Sequence, residues 1–337
     1  MGRKSPDENA LIPVPVSRSG RASDFELLAG RDHSVHPDLD HWHGNIGEPV
    51  ALDLAAPAAT DIVGFDVLNW NVAIGRAHLD ELLSRLKAGA ADFGERPDRP
   101  LVLLIQEAYR SDPSIPEFAF KRYHGGHVPV GTRRDIVDFA HENNLSLRYA
   151  PSMRNGKHRS DRGNAILSNV AIRSARMFVL PYIRQRRVVV KAELEGFPDI
   201  TFISAHLDTG GRIADQPMLR FGAGRSAQAR ELARRLHEMP PNQSFVLGAD
   251  LNSAIGLRDP ALRVLMDEGL RHADGSHLLR HTFHGPVKLL LDHLLIRSAG
   301  RIRDASVIRI DELPGDRTSR IFGSDHHPLL ARIELAR

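Results

Sequence analysis

SFVLGADLN at residues 244–252 is a strand-like run with a polar ending: Phe245, Val246 and Leu247 suit a buried strand, Gly248 and Ala249 follow, and Asp250 and Asn252 sit where a loop begins. The same construction recurs along the chain. FDVLNWNV (65–72) carries Asn71 near its end, LVLLIQEA (101–108) carries Glu107, and ITFISAHL (200–207) carries His206. LDHLLIRS (291–298) opens with Asp292, and SDHHP (324–328) places Asp325 and His326 before PLLARIEL (328–335). With NAILSN (164–169), RVVVKAEL (187–194) and ASVIRI (305–310), these short runs are too many for one sheet and predict two sheets packed face to face.

Helical spacing appears between the runs. In RSAQARELARRLHEM (225–239), Ala229, Leu232, Ala233, Leu236 and Met239 share a face. In RAHLDELLSRLKAG (76–89), Leu79, Leu82, Leu83 and Leu86 are in register before Gly89 stops the helix. TRRDIVDFAHEN (132–143) opens with Thr132 and Asp135 in capping-box positions. The expected architecture is therefore α/β, with helices on the outer faces of a two-sheet sandwich. Residues 1–60, polar and containing proline, read as a partly ordered arm, and 61–337 as the main domain.

Composition narrows the class. At 337 residues with 42% hydrophobic and 26% charged side chains, the chain matches an ordinary globular protein rather than a disordered or fibrous one. No run approaches the roughly 20 apolar residues of a membrane helix. MGRKSPDENALIPVPVSRSG (1–20) also lacks the apolar stretch of a secretory signal, so a cytoplasmic location is expected. The absence of cysteine excludes disulfides, thiolate nucleophiles and Cys-ligated metal, so any metal must be held by oxygen or imidazole. Of 45 basic residues all but six are arginine, but a net charge of +3 is too small to argue for nucleic acid by itself, and a genome-wide bias toward arginine explains the excess as readily as phosphate binding.

Singly, each strand-end residue has an ordinary reading. Asn71, or the Asp250–Asn252 pair, could close a turn, Glu107 could be a paired structural carboxylate, and His206 a satisfied strand-end histidine. Together they form a set of carboxylates, carboxamides and histidines suited to a hard divalent ion, Mg²⁺ or alternatively Mn²⁺, and to phosphate-ester chemistry. Histidine beside a carboxylate supplies acid–base capacity near neutral pH.

The ordered set WNV (70–72), QE (106–107), GNAILS (163–168), AHLD (205–208), GADLN (248–252), LDH (291–293) and SDHHP (324–328) resembles the endonuclease/exonuclease/phosphatase superfamily, over about residues 65–335. The resemblance implies a four-layer sandwich of two mixed β-sheets with helices on both outer faces. It implies Glu107 as principal Mg²⁺ ligand, with Asn71 and Asp325 completing the shell. Asp250 and Asn252 would orient water and phosphate, His326, oriented by Asp292, would contact the scissile phosphate or act as base, and His206 would bind a phosphate oxygen. Asn71, Arg162, Asn164 and Arg187 are expected to contact substrate. The implied reaction is hydrolysis of a phosphate ester by direct attack of water, with a nuclease as first choice and a lipid or inositol phosphoesterase as the alternative. An inactive binding scaffold is disfavoured, because every motif position holds a competent residue.

Three secondary features carry less weight. The basic stretch Arg154 to Arg162, with Arg184, Arg186 and Arg187, could line a groove for a polyanion or simply form a solvated surface. His33, His36, His41 and His43 could bind a transition metal, without an evident framework to fix them. Thr282, Phe283 and His284 could shape the pocket. The long loops 110–131 and 210–224 are where a lipid-facing apolar rim would sit. Oligomeric state is not encoded legibly.

Overall fold

The computed structural model describes residues 44–58, 62–88, 99–119, 131–209, 223–273, 280–312 and 321–336, with short strands at 12–13 and 25–28. Its elements in order are β1 (Ile12–Pro13), β2 (Phe25–Leu28), β3 (Val50–Leu52), β4 (Gly64–Asn71), α1 (Leu79–Lys87), β5 (Leu101–Arg110), α2 (Ile136–Glu142), β6 (Ser146–Arg154), β7 (Asp161–Ser168), β8 (Ile172–Val179), β9 (Val188–Leu194) and β10 (Ile200–His206). There follow α3 (Ala223–His237), β11 (Ser244–Asp250), α4 (Pro260–Asp267), β12 (Arg271–His272), β13 (Phe283–His284), β14 (Lys288–Leu289), β15 (Asp292–Arg297), β16 (Ile302–Arg309) and β17 (Leu329–Leu335). One sheet has the order β1-β2-β8-β9-β10-β11-β15-β12 and the other β16-β17-β4-β5-β7-β6-β3. Both are mixed: β10 and β11, and β4 and β5, run parallel, while most other pairs are antiparallel.

Period-2 alternation builds the layers. On β4, Phe65 and Val67 point into the core between the sheets, with Phe202, Val246 and Leu294 of the facing sheet. The alternate residues Leu68 and Trp70 pack outward against Leu79, Leu82 and Leu83 of α1 and Ile136 and Phe139 of α2. On the far side, Ile203, Phe245 and Leu247 bury Ala229, Leu232 and Leu236 of α3 and Leu262 and Leu265 of α4. The result is the expected four-layer sandwich. No described helix is long and apolar enough to cross a membrane.

Several boundaries differ from the sequence reading. The helix expected from residue 76 starts at Leu79, because Arg76 N and Ala77 N both donate to Val72 O (3.0 and 3.2 Å) in a turn with positive φ at Ala73, Ile74 and Gly75. Helix α2 is capped by Asp135, whose side chain accepts from Val137 N at 2.8 Å, and not by Thr132. The long helix starts and ends two residues before its expected limits. Strands β6 and β8 were not anticipated. β6 contains Pro151 and two arginines, yet all nine of its residues are buried. Within the stretch read as an arm, β3 pairs with β6 and β2 with β8. The histidine-rich segment 33–43 lies outside the described residues.

Candidate active site

The inward faces of the central strands are apolar along most of their length and polar at one end. Strand register gathers those ends: His206 lies opposite Asp250 across β10 and β11, and Asp250 opposite Asp292 across β11 and β15. Beneath them a hydrogen-bonded layer joins the sheets. Gln106 Nε2 donates to Asn69 Oδ1 (2.9 Å) and Ser204 Oγ (3.2 Å), Ser204 Oγ to Ile105 O (3.1 Å), and Asn69 Nδ2 to His293 O (3.3 Å). Gly248 permits this approach, since a Cβ there would lie 2.5 Å from Asn69 Oδ1.

Asp250 is the hub above that layer. Its Oδ2 accepts from Asn71 Nδ2 at 2.9 Å and lies 3.4 Å from His206 Nε2 and 4.0 Å from His326 Nε2. Its Oδ1 accepts from Asn252 N at 2.9 Å, and Asn252 Nδ2 is 3.1 Å from His206 Nε2. His326 Nδ1 donates to Asp292 Oδ2 at 2.8 Å. The backbone around this pair is fixed: Trp70 Nε1 donates to His326 O (2.8 Å), Ser324 Oγ to Asn71 O (2.7 Å), and Asp292 N to Thr282 Oγ1 (2.9 Å). Phe283, anticipated as a pocket-shaping residue, packs against the His326 ring with centroids 5.1 Å apart.

Burial and charge set the protonation tendencies. Burial raises the Asp250 carboxyl, reinforced by the Asp292 charge, to about 7. Burial alone would lower His326, but Asp292 and then Asp250 outweigh it and raise it to about 10. His206 is pushed well below its ordinary value by burial and then by Arg187, which favours a neutral ring that accepts from Asn252.

Glu107 stands on the other wall. The β5–β7 register slips between Ile105 and Ala108, and Glu107 takes φ +53°, a left-handed conformation that costs about 1–3 kcal/mol for a side chain of this kind. The bulge turns Glu107 into a small cavity shared with Arg162, Asn164, Arg187 and His206. A larger cavity, about 410 Å³, lies between β8, β9 and α3 and contains none of the motif residues. The concave size of a pocket is thus a poorer guide here than its chemistry.

Most of the expected site residues form one continuous set, from Glu107 through His206 and Asp250 to Asp292 and His326. Arg162 and Arg187 are 8% and 4% exposed, so their charges face the cavity wall rather than bulk solvent, and Glu107 and Asp250 both act on the Arg187 guanidinium. Asn164 donates both amide protons to backbone carbonyls, Val188 O (2.8 Å) and Ser204 O (3.4 Å), which leaves its carbonyl oxygen for any other partner. Asn71 Oδ1 accepts from Ala73 N at 3.0 Å. Asp325 uses its backbone carbonyl to accept from His284 N (2.7 Å), and its charge favours the His326 imidazolium.

The donor set fits a hard cation: carboxylates and a carboxamide surround the cleft, and Asp292 Oδ1 is a buried oxygen without a hydrogen-bond partner. Within the cleft, ligand atoms of Asp250, Asp292 and His326 lie within 4.8 Å of one another. Arg154 and Arg159 do not form the polyanion groove that was one of the two readings of the basic stretch. Arg154 is buried and donates to Pro116 O and to Glu117 O, and Arg159 donates to Ile115 O (2.9 Å), so both hold the loop after β5. Arg133, by contrast, was missed: its guanidinium lies 5.7 Å from the Tyr109 ring centroid and feels Glu107 and Arg162, but TRRD carries no local signal that separates it from a surface arginine.

The family model described as Endonuclease/Exonuclease/phosphatase family matches residues 68–326. No curated protein matches in sequence. Among solved structures, an endonuclease/exonuclease/phosphatase from Beutenbergia cavernae DSM 12333 is similar with TM-score 0.54 and 15% identity, over 81% of this chain and 72% of that one. The human Nocturnin catalytic domain with bound sulfate anion is similar with TM-score 0.51 and 14% identity, over 86% and 98% of the two chains. SmcL is similar with TM-score 0.51 and 15% identity, over 80% and 99%. At these identities the likeness is one of fold.

Proposed function

The chain belongs to the endonuclease/exonuclease/phosphatase family, and on that premise we propose that it is a Mg²⁺-dependent phosphodiesterase, with nucleic acid as its first-choice substrate. The observation that carries the reading is the hub at Asp250. A buried carboxylate is held by Asn71 and Asn252, faces two histidines, and lies across the cleft from Glu107 and two nearly buried arginines.

Glu107 and Asn71, with Asp325, are the residues that would hold Mg²⁺. When bound, the ion neutralises phosphate charge and lowers the pKa of water. Arg162 and Arg187 bind and orient the phosphate, and their burial strengthens that interaction by excluding water. Asp250 holds the attacking water through Oδ2 and takes its proton. His326, kept cationic by Asp292, donates from Nε2 to a phosphate oxygen as charge develops in the transition state. Asn252 fixes His206 beside that oxygen. No covalent intermediate is needed.

A second reading, a lipid phosphoesterase, is favoured by one surface feature. Ile255 and Leu257, 55% and 51% exposed, follow Asn252, and Val287, 63% exposed, tips the β13–β14 hairpin beside Asp292. A Cβ at Gly256 would lie 3.8 Å from Leu290 Cβ, so the two apolar turns are neighbours at the rim. Phe118, 78% exposed, projects from the loop after β5. The deciding experiment offers supercoiled DNA, single-stranded DNA, RNA, abasic DNA, sphingomyelin vesicles and inositol phosphates to wild type and Glu107→Ala, with Mg²⁺, Mn²⁺ or EDTA. Metal-dependent cleavage of nucleic acid that is lost in the variant, with affinity falling steeply in salt, is expected. Cleavage of vesicle lipid alone would move the assignment to the second reading. Full activity of Glu107→Ala would overturn the site.

A further inference from the structure

We infer that His281, His284 and His327 form a transition-metal site of the Zn²⁺ class, separate from the phosphoesterase centre. One ring nitrogen from each lies within 4.8 Å of the others. The His281 ring centroid is 5.4 Å from both His284 and His327, and the His284 and His327 rings lie 6.0 Å apart at an interplanar angle of 29°. Three imidazoles without a carboxylate in the ligand set suit zinc, copper or nickel rather than Mg²⁺.

The framework is fixed independently of any ion. His327 N donates to Thr282 O (2.7 Å), His284 N to Asp325 O (2.7 Å), and Arg309 Nη1 to His281 O (2.6 Å), so the backbone holds all three segments in place. The tautomer of His327 is fixed as well. Its Nδ1 faces two acceptors, Ile310 O at 3.1 Å and Asp311 Oδ1 at 3.0 Å, which places the proton on Nδ1 and the lone pair on Nε2. A carboxylate behind a ligating histidine is the usual outer partner of a zinc-bound imidazole. Asp311 is in turn held by Arg280 (2.6 Å) and Arg309 (2.8 Å), whose charges are directed at the carboxylate.

Tetrahedral coordination requires ligand nitrogens about 3.4 Å apart at Zn–N lengths of about 2.05 Å, so small side-chain rotations would close the site. His327 is buried while His281 and His284 are half-buried. A bound ion would tie the Phe283–His284 strand to the residue after His326, and so stiffen the segment that carries the phosphate-facing histidine.

The test uses the full chain without a purification tag, stripped with EDTA and titrated with Zn²⁺ against a chromophoric chelator. Wild type is expected to bind one tight equivalent, and Glu107→Gln to retain it. His281→Asn and His284→Asn should each weaken binding at least ~100-fold, and Asp311→Asn about 10–100-fold. Replacing His33, His36, His41 and His43 together by asparagine should change nothing. X-ray absorption on zinc-loaded wild type should show three imidazole nitrogens, a readout that needs no variant to fold. Failure of wild type to retain zinc, zinc that survives both single histidine substitutions, or zinc lost with the four N-terminal histidines overturns the inference. Each of these results leaves the phosphoesterase assignment standing.

Discussion

Two of the regions in which this protein buries charge treat it in opposite ways. Behind the cleft, Arg110 and Asp161 form a closed pair: Nε to Oδ1 at 3.0 Å and Nη2 to Oδ2 at 2.5 Å, with Tyr149 Oη donating to Oδ1 (2.8 Å), Gly47 N to Oδ2 (2.9 Å), and Arg110 Nη1 to Glu48 O (2.5 Å). Opposite charges meet in two parallel bonds and the carboxylate is fully engaged. In the cleft, two buried carboxylates, Asp250 and Asp292, share one imidazolium, and Asp292 Oδ1 has no hydrogen-bond partner. The first arrangement is complete and orders β5 against β6 and β7. On the proposed function the second is held ready for a cation and a phosphate, and it is the less stable for its partly compensated charge.

The largest expected effect separates the two on activity. Asp292→Asn keeps the shape of the pair but removes the charge that holds His326 cationic and oriented, so kcat should fall about 10²–10⁴-fold. Stability should be unchanged or slightly higher, since one of two mutually repelling carboxylates is gone. Steady-state kinetics with a thermal melt on the same sample checks both; a large loss of stability would place Asp292 with the structural pair. The next effect inverts the pattern. Asp161→Asn leaves Arg110 buried without its counter-charge and should cost about 3–5 kcal/mol, while kcat per folded molecule stays near wild type. Arg110→Met/Asp161→Leu should be milder than the single change, read by urea denaturation. A double variant worse than the single would show that the pair gives more than mutual neutralisation.

The same contrast explains what the sequence made legible. Polar residues at the ends of apolar runs were visible at Asn71, Glu107, His206, Asp250 and Asp292, and it was their recurrence on several strands, each having an ordinary reading alone, that marked a site. That these ends meet depends on register between β10, β11 and β15, which is non-local, and only the order of motifs conveyed it. Arg110, Arg148 and Arg154 were illegible as core residues, since an arginine is buried only when a distant acceptor waits for it: Asp161 for the first, Asp53 for the second, the carbonyls of 116–117 for the third. β6 was hidden for that reason: SLRYAPSMR places two arginines and a proline among its apolar residues. The Glu107 bulge was equally hidden, because nothing local in LIQEA announces a positive φ.

The smallest effect tests the seam between completed and held-ready polar groups. His272 Nε2 lies 3.0 Å from His293 Nδ1, and His293 Nε2 lies 2.7 Å from Ser253 Oγ, immediately after Asn252. Burial lowers His272 to about 4 from an unfolded value of 6.5. Between those values the unfolded chain binds the proton and the folded chain does not, so this residue's contribution is complete above about pH 6.5 and declines as pH falls toward 4. The melting temperature of wild type should therefore drop over that window relative to His272→Gln, with the two curves parallel at higher pH. A difference that stays constant from pH 4 to 8 would mean that His272 titrates alike in the folded and unfolded chains. The His272–His293 contact would then be one where burial does not hinder protonation, unlike the groups that line the cleft.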